Sequence, residues 1–298
     1  MEIHQLRYFL AIAQHGSFTA AAEACNVSQP SLSAQTAKLE AELGGALFER
    51  SRKGARLTPR GLVFRPRALE ALSQLETGRS ELEELSGLKR GEVTLGCLPT
   101  TGAYLLPLIL RTFRESHPLI QVKLREESSP ILGRALREIE VDLAIMDEAG
   151  LGAGLRSETL FREPLLVAVP PGHPFAARKR IELGKLSGEP LIIMKSGHGF
   201  RTIVLDALAR AGVTPRVVYE SDGIDTVQTL VEAGLGLTLV PTMVRRADGP
   251  AYVEIAPPTP SRTILLARRD SRALSHAAAA MREVVLHCFG HGMPAASG

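Results

Sequence analysis

The segment that decides the fold of this chain is Val27-Ser28-Gln29-Pro30-Ser31-Leu32-Ser33-Ala34-Gln35. Ser28 suits the N-cap of a helix, because its hydroxyl can accept a hydrogen bond from a free backbone N–H. Pro30 suits the first turn, where a missing N–H costs nothing. Leu32, Leu39 and Leu43 then lie on one face. We therefore predict a helix with one apolar face and with polar or small side chains elsewhere.

Two shorter helices are predicted before this segment. Apolar residues recur at helical spacing from about residue 3 to residue 14, and the pattern stops at Gly16. An alanine-rich segment from Thr19 to Cys25 follows, and Asn26 breaks it. A core-packed helix, a tight turn and a second helix with small polar side chains in its first turns form the layout of a helix-turn-helix.

The polar side chains of the third helix suit the reading of DNA bases. A glutamine amide can bond adenine in bidentate fashion, a serine hydroxyl can pair with several base edges, and Pro30 could contact a thymine methyl. Two short extended segments around Lys53-Gly54 predict a wing whose basic side chains contact phosphates. The alternative is a plain three-helix scaffold with a solvated polar face, and the basic wing argues against it. The predicted DNA-binding residues are Ser28, Gln29, Pro30, Ser31, Ser33, Gln35, Lys38, Arg50, Arg52, Lys53 and Arg56.

Composition sets outer bounds on the class of protein. At 298 residues the chain fits two or three domains, and its net charge of +3 permits nucleic-acid binding without requiring it. Three cysteines without a Cys-x-x-Cys pair argue against a disulfide framework and a zinc cage, so we expect neither a metal nor a cofactor. No stretch approaches a membrane span, and the N-terminus lacks the pattern of a signal peptide. We expect a cytoplasmic protein without a membrane partner.

A long helix is predicted after the wing, from Thr58-Pro59 to about Ser86. A long helix with an apolar seam favours a partner helix, so this segment is the expected dimerisation element. Pro66 should bend its axis. The alternative is a helix packed on its own domain, which suits so long a segment less well. Two pairs of leucines, each seven residues apart, form the seam: Leu62 with Leu69, and Leu75 with Leu82.

The pattern changes after a predicted hinge at residues 87–91. Short apolar runs then alternate with helical segments, which is typical of α/β architecture. We predict strands at residues 93–97, 120–125, 141–146, 191–194, 216–219, 237–240 and 263–267. We predict helices at residues 105–116, 130–139, 200–211, 226–233 and 274–288. This order predicts two Rossmann-like lobes joined by a pair of crossover strands.

Three loops are predicted to reach the place where such lobes bind a ligand. Open α/β sheets bind ligands beyond the carboxyl ends of their strands, and paired lobes bind them in the cleft. Hydroxyls and free N–H groups at helix N-termini favour a small anion, so the expected effector is an organic acid. The alternative is that these serines and threonines only cap helices. The predicted effector-binding residues are Thr100, Thr101, Ser128, Ser129, Gly197, His198, Phe200 and Thr226.

Several motifs, in order along the chain, resemble those of LysR-type transcriptional regulators. The resemblance implies a sequence-specific DNA-binding regulator controlled by a small-molecule effector, with an effector-binding half of periplasmic-binding-protein type. Its implied partners are double-stranded DNA, further copies of the chain in a homodimer or homotetramer, and RNA polymerase. The motifs are Leu6-Arg7-Tyr8-Phe9, Gly16-Ser17-Phe18-Thr19-Ala20-Ala21-Ala22, the segment at residues 27–33, Leu39-Glu40-x-Glu42-Leu43-Gly44, Leu47-Phe48-x-Arg50, Leu57-Thr58-Pro59, Pro170-Pro171-Gly172-His173-Pro174 and the segment at residues 232–241.

The patterns and the resemblance together predict an α+β multidomain chain. Residues 1–58 form a winged helix-turn-helix, and residues 59–88 form the linker and dimerisation helix. Residues 89–163 with 267–298 form one lobe of the effector domain. Residues 164–266 form the other lobe.

Within that family, the effector loops resemble those of the peroxide-sensing OxyR branch. Residues 97–107 resemble its first loop, and Gly197-His198-x-x-Arg201 resembles the loop that carries its reactive cysteine. Gly199 stands in the place of that cysteine, so the peroxide chemistry of the branch is not carried over. A redox regulator that uses Cys97 is the alternative function. We expect no enzyme, because no nucleophile elbow, phosphate-binding loop or dinucleotide fingerprint occurs in a suitable context.

Overall fold

The computed structural model describes residues 1–51, 54–85, 91–270 and 274–289. The chain divides into two compact units, Met1–Leu88 and Lys89–Gly298. The predicted hinge at residues 87–91 lies outside the described residues except for Gly91, which begins a strand. Within the described ranges, no helix has the length and apolar character needed to cross a membrane.

The N-terminal unit is a winged helix-turn-helix followed by a long helix, as predicted. Ser28 caps the third helix, because its hydroxyl accepts the N–H of Ser31 at 3.4 Å. Asn26 has the left-handed backbone (φ 53°) that ends the preceding turn. The elements are α1 Ile3–His15, α2 Phe18–Ala24, α3 Gln29–Glu42, β1 Phe48–Ser51, β2 Gly54–Leu57 and α4 Pro59–Leu85.

The core of this unit holds the wing against the helices. The Phe9 ring lies 5.2 Å from that of Phe48 in β1 and 5.1 Å from that of Phe64 in α4. The N–H of Ala55 donates to the carbonyl of Gly16 at 2.7 Å. A Cβ on Gly54 would lie 2.4 Å from that carbonyl, and the φ of Gly54 is +118°, so only glycine fits this turn of the wing.

Helix α4 runs unbroken for 27 residues through Pro66. Its small residue Ala68 is buried, whereas Leu62, Leu75 and Leu82 are more than half exposed. Leu69 is partly buried. Three of the four predicted seam leucines therefore have side chains that are mostly exposed.

The C-terminal unit alternates strands and helices around two long strands. The elements are β3 Gly91–Cys97, α5 Pro99–Ser116, β4 Ile120–Glu126, α6 Ser129–Arg137, β5 Leu143–Asp147, β6 Leu155–Val169, β7 Arg180–Ile181, β8 Pro190–Met194, α7 Gly199–Arg210, β9 Arg216–Ser221, α8 Ile224–Glu232, β10 Thr238–Pro241, β11 Ala251–Ile255, β12 Ser261–Arg269 and α9 His276–Phe289. Strands β7 and β11, and the position of the long strand β6, were not predicted from the sequence.

The predicted start of helix α5 was wrong. Helix α5 begins at Pro99 and not at Leu105, because Pro99 suits the first helical position and Leu98 before it is extended. Thr100 and Thr101 therefore lie in the first turn of a helix and not in a loop. Pro107 lies inside the helix and not in its first turn, where a helix that began at Leu105 would have placed it.

The two crossover strands β6 and β12 pair antiparallel at the centre of an eight-stranded sheet. The strand order is β4-β3-β5-β12-β6-β11-β7, and β10 also pairs with β6. Strands β8 and β9 form a separate parallel pair. We call β3–β5 with α5, α6 and α9 the first lobe, and β7–β11 with α7 and α8 the second lobe. The crossover strands carry the chain between them, as the sequence predicted.

Candidate functional site

The first turn of α3 presents polar side chains to solvent. Gln29, Pro30 and Ser31 are exposed, whereas Leu32 and Leu39 on the inner face are fully buried. Within the described part of the chain, the Gln29 amide has no hydrogen-bond partner, so it is available to a base edge. The predicted contacts Ser28 and Lys38 are exposed as well.

Arg50 of the wing is fixed against helices α3 and α2. Its Nη1 donates to the hydroxyl of Ser33 at 3.1 Å, and its guanidinium carbon lies 4.0 Å from the centre of the Phe18 ring. A cation over an aromatic face is held by the ring quadrupole. Helix α3 and the wing therefore form one surface that includes Arg50. Arg56 of β2 is exposed as well. Arg52 and Lys53 lie outside the described residues.

Gln35 differs from the other predicted base readers. Its side chain is partly buried, and its Oε1 accepts a hydrogen bond from Gln5 Nε2 at 3.1 Å. Gln5 is buried in α1, and a buried amide requires a partner. The carbonyl oxygen of Gln35 is thus held by α1, which helical spacing alone did not indicate.

The hydroxyls of Thr100 and Thr101 are buried and have different partners. Thr101 donates to the carbonyl of Leu98 at 2.9 Å, which is a local contact at the start of α5. Thr100 instead accepts a hydrogen bond from Nη1 of Arg262, on crossover strand β12, at 3.0 Å. Of these two threonines, Thr100 is therefore the one whose described side-chain hydrogen bond links the first lobe to a crossover strand.

Arg262 belongs to a buried ion pair that sequence reasoning missed. It lies directly opposite Glu163 on β6, with Arg262 Nε 2.6 Å from Glu163 Oε1. The other oxygen of Glu163 accepts the N–H of Met243, in the second lobe, at 3.0 Å. The pair therefore contacts Thr100 on one side and Met243 on the other. Sequence pattern alone did not single this pair out, because β6 carries Arg156, Glu158 and Arg162 besides Glu163, and β12 ends in Arg268-Arg269.

Ser129 positions a second buried charge, Asp147 at the end of β5. The Ser129 hydroxyl accepts the N–H of Asp147 at 3.1 Å, and Asp147 Oδ1 accepts the N–H of Ala149 at 3.0 Å. Asp147 is only 3% exposed, and its Oδ2 has no hydrogen-bond partner among the described residues. Ser128, the N-cap of α6, is partly buried and, in the described residues, caps nothing with its side chain.

The predicted loop of the second lobe faces these groups. A Cβ added to Gly199 would lie 3.4 Å from Asp147 Oδ2. The next residue, Phe200, is buried, and the Arg262 guanidinium carbon lies 5.6 Å from the centre of its ring. Gly197 and His198 precede them, with Gly197 exposed and His198 partly buried as the N-cap of α7. Thr100, Ser129 and Phe200 are thus brought together by Arg262 and Asp147.

Thr226 lies apart from this group, exposed in the first turn of α8. Asp225 precedes Thr226 in the chain. The pKa of Tyr104 in α5 is raised mainly by burial and, to a smaller extent, by the carboxylate of Asp225. The start of α8 therefore lies near α5. No hydrogen bond among the described residues joins Thr226 to the other predicted effector residues.

Cys97, the alternative redox residue, is fully buried. Burial and the nearby Glu126 carboxylate raise the pKa of its thiol to about 12. Because the thiolate is the reactive form, this environment suppresses reaction with oxidants. Among the residues that the structure describes, no group of three or more His, Cys, Asp or Glu side chains could hold a metal ion.

Family models match both units of the chain. Residues 3–62 match the bacterial regulatory helix-turn-helix protein of the lysR family, and residues 86–289 match the LysR substrate binding domain. The second match alone covers more than half of the chain.

Individual proteins match over almost the whole length. The hydrogen peroxide-inducible genes activator of Dickeya chrysanthemi is 32% identical, over 92% of this chain and 91% of that protein. A full-length OxyR variant from Pseudomonas aeruginosa has a similar structure, with a TM-score of 0.75 and 30% identity over 96% of this chain and 95% of that one. Full-length CbnR, solved in complex with its target DNA, matches with a TM-score of 0.64 and 25% identity over 96% of this chain and 99% of that one.

Proposed function

The chain belongs to the LysR family of DNA-binding transcriptional regulators, and we propose that it reads its operator with the first turn of α3 and senses its effector between the two lobes. It is a LysR-type regulator with a DNA-binding unit and a ligand-binding unit. The specific residues that perform these two tasks, and the domain boundaries given above, are our proposal.

The observation that carries the DNA-reading proposal is the exposed amide of Gln29, beside Pro30 and Ser31, which has no hydrogen-bond partner in the described part of the chain. An α-helix fits the major groove, where an amide can bond adenine in bidentate fashion. Arg50 and Arg56 of the wing then contact phosphates and set the register of the helix on the duplex. The structure of CbnR with its target DNA supports a duplex as the partner.

The regulator acts as an oligomer of identical chains. We place the dimer contact on the exposed leucines of α4, since apolar side chains seven residues apart form a seam between paired helices. A dimer presents two recognition helices to the DNA, and two half-sites double the contacts that one helix makes. A homodimer, or a homotetramer built from two such dimers, is the assembly we propose.

The effector binds among Thr100, Ser129, Gly199 and Phe200, where the two lobes face one another. Arg262 and Glu163 join both lobes at this place through Thr100 and Met243. A ligand that binds one arrangement of the lobes more tightly than another shifts the balance between them. By this route the effector controls how the regulator holds its DNA.

The protein works in the bacterial cytoplasm, where its DNA is found, and it is not an enzyme. Its buried charged groups serve to couple the lobes and to bind a ligand, and we assign no residue to catalysis. Cys97 is not its sensor, because a buried thiol with a raised pKa reacts poorly.

Selection from a random duplex library tests the DNA-reading proposal. The full-length protein should enrich an inverted repeat whose half-sites are about one helical turn apart or a multiple of it. The enriched duplex should bind at least about a thousandfold more tightly than a scrambled one. If repeated rounds enrich no sequence, the protein is not a sequence-specific regulator.

Thermal denaturation with small carboxylic acids tests the effector site. An acid that binds the native protein stabilises it by RT ln(1 + L/Kd), where L is the ligand concentration, so the melting temperature rises with that concentration. Thr100→Val should abolish that rise, whereas the matched exposed variant Thr229→Val should keep it. An unchanged rise in Thr100→Val would remove Thr100 from the site.

A further inference from the structure

We infer that Asp147 binds the ammonium group of a small zwitterionic effector, an amino acid or a close analogue. This inference rests on the proposed effector site and names the chemical class of its ligand. An organic acid, the expectation from helix N-termini alone, accounts for only one end of such a molecule. The other end is indicated by a buried carboxylate oxygen.

The first observation is the unsatisfied acceptor. Asp147 is 3% exposed, and among the described residues its Oδ2 has no hydrogen-bond partner, although Oδ1 accepts the N–H of Ala149. A buried polar group without a partner destabilises the native state. A carboxylate can only accept, so the group that completes it must be a donor, and an ammonium supplies both donors and the opposite charge.

The second observation is that Asp147 is held rigidly. The turn that follows it packs so closely on α6 that a Cβ on Gly150 would lie 2.2 Å from the carbonyl of Ser129. In the same way, a Cβ on Gly133 would lie 2.0 Å from the carbonyl of Gly150. The Ser129 hydroxyl also holds the N–H of Asp147. A carboxylate fixed before binding loses little freedom when the ligand arrives.

The third observation is the absence of a side chain opposite the carboxylate. Gly199 faces Asp147, and a Cβ there would lie 3.4 Å from Oδ2 and 3.8 Å from the Cβ of Ala149. Gly199 is also the first residue of α7, a helix of 12 residues. The free N–H groups of its first turn favour the carboxylate of the ligand.

The guanidinium of Arg262 is a cation suited to the carboxylate of the ligand. It lies beside Phe200, the residue that follows Gly199. Among the described residues, Arg262 Nη2 donates to the sulfur of Met243 alone, at 3.1 Å, and a thioether is a weak acceptor. Unlike Nε and Nη1, which donate to Glu163 and Thr100, this nitrogen keeps capacity for a stronger acceptor. Asp147 thus lies beside Gly199 and Arg262 beside Phe200, the next residue, and in our inference the first takes the ammonium and the second the carboxylate of the ligand.

Paired ligands test the inference with the full-length protein. Calorimetry and thermal denaturation would compare each of the twenty protein amino acids with the acid that lacks its α-amino group, for example alanine with propionate, aspartate with succinate and glutamate with glutarate. At least one amino acid should bind, and its des-amino partner should bind at least about tenfold more weakly, which corresponds to the loss of one charge-assisted hydrogen bond.

Two variants locate the ammonium. Asp147→Asn keeps an oxygen for the N–H of Ala149 and removes the charge, so it should weaken the amino acid at least about tenfold. The matched control Glu148→Gln removes an exposed neighbouring charge and should bind like the wild type. If Asp147→Asn does not fold, Gly199→Leu serves instead, because its side chain starts in contact with Asp147 Oδ2 and would block the approach of an ammonium.

The outcomes separate this inference from the proposed function. The inference is wrong if no amino acid binds, or if a des-amino acid binds as well as its partner. It is also wrong if Asp147→Asn, or Gly199→Leu in its place, binds the amino acid as the wild type does. Retained binding to the selected duplex, with a response to simple acids, would leave the proposed regulator intact. Loss of duplex binding by the wild type would instead refute the proposed function.

Discussion

Arg262 and Glu163 face each other across the two crossover strands, with Arg262 Nε 2.6 Å from Glu163 Oε1 and both side chains 1% exposed. Each residue also holds one lobe, Arg262 through Thr100 and Glu163 through Met243. A change in the arrangement of the lobes must therefore alter hydrogen bonds to a buried charge pair. We regard this pair as the connection through which an effector acts on the lobes.

Removing one member of the pair should strongly destabilise the protein. Arg262→Met leaves the Glu163 carboxylate buried without its cation, which costs about 3–5 kcal/mol of the free energy of unfolding. Urea denaturation of the full chain measures the loss. The control is Arg180→Met at the exposed pair Arg180–Glu254, whose side chains are 54% and 49% exposed, and it should cost no more than about 1 kcal/mol. If Arg262→Met and Arg180→Met lost the same free energy of unfolding, burial of the ion pair would not determine how much its loss destabilises the protein.

Arg56→Ala should weaken DNA binding without changing sequence preference. Arg56 is exposed on β2 of the wing, where a guanidinium contacts phosphate. Affinity for the selected and the scrambled duplex should fall by the same factor, and the slope of log K against log salt should become smaller by about 1. Fluorescence anisotropy at several salt concentrations measures both quantities. Arg178→Ala, exposed in the C-terminal unit, should behave like the wild type, and a loss confined to the selected duplex would contradict a phosphate role for Arg56.

Leu75→Glu should dissociate the oligomer. Leu75 is 52% exposed on α4, and a charge placed in an apolar seam between helices opposes their pairing. Sedimentation should show monomers at concentrations where the wild type is a dimer or larger. The neighbouring exposed substitution Gln74→Glu adds the same charge outside the seam and should leave the assembly unchanged. Unaltered assembly in Leu75→Glu would exclude this face of α4 as the dimer contact.

Cys97 should not react in the native protein. With a thiol pKa of about 12, about one molecule in 10⁵ carries the thiolate at pH 7. In a variant that keeps only Cys97 (Cys25→Ser, Cys288→Ser), iodoacetamide should label the thiol in urea and not in buffer. Peroxide should leave duplex binding unchanged. Labelling in buffer at the rate of a free thiol would revive the redox alternative.

The raised pKa of Cys97 also sets a direction for stability against pH. The buried neutral thiol is fully favourable below the unfolded pKa of about 8.5, and its contribution is lost as the pH rises towards about 12. In that window the stability of the wild type should fall more steeply than that of Cys97→Ala, by up to about 1.4 kcal/mol per pH unit. Parallel slopes would show that the thiol does not titrate differently in the folded state.

The DNA-binding unit was largely predictable because its signals are local. Ser28, Pro30 and Gly16 mark helix ends within one turn, and the spacing of Leu32 and Leu39 gives the buried face. The exception is Gln35, whose amide is held by Gln5, 30 residues away. Contacts across that distance leave no trace in helical spacing.

The effector site was only partly predictable because long-range contacts build it. The sequence indicated Thr100 and Ser129 from their place after strands, but not their partners Arg262 and Asp147. Arg262 is 99 residues from Glu163 and 162 residues from Thr100. Strand pairing sets Arg262 opposite Glu163, and Thr100 reaches Arg262 from the first turn of α5. The early start of α5 was missed although Pro99 is a known signal for a first helical position.

The central claim is that the first turn of α3 reads bases, and Gln29→Ala tests it most directly. The measurement is the ratio of its affinities for the selected and the scrambled duplex, compared with the same ratio for the wild type. We predict a loss of about 1–3 kcal/mol on the selected duplex and almost none on the scrambled one. Equal losses on both duplexes, or no loss on either, would contradict base reading by Gln29.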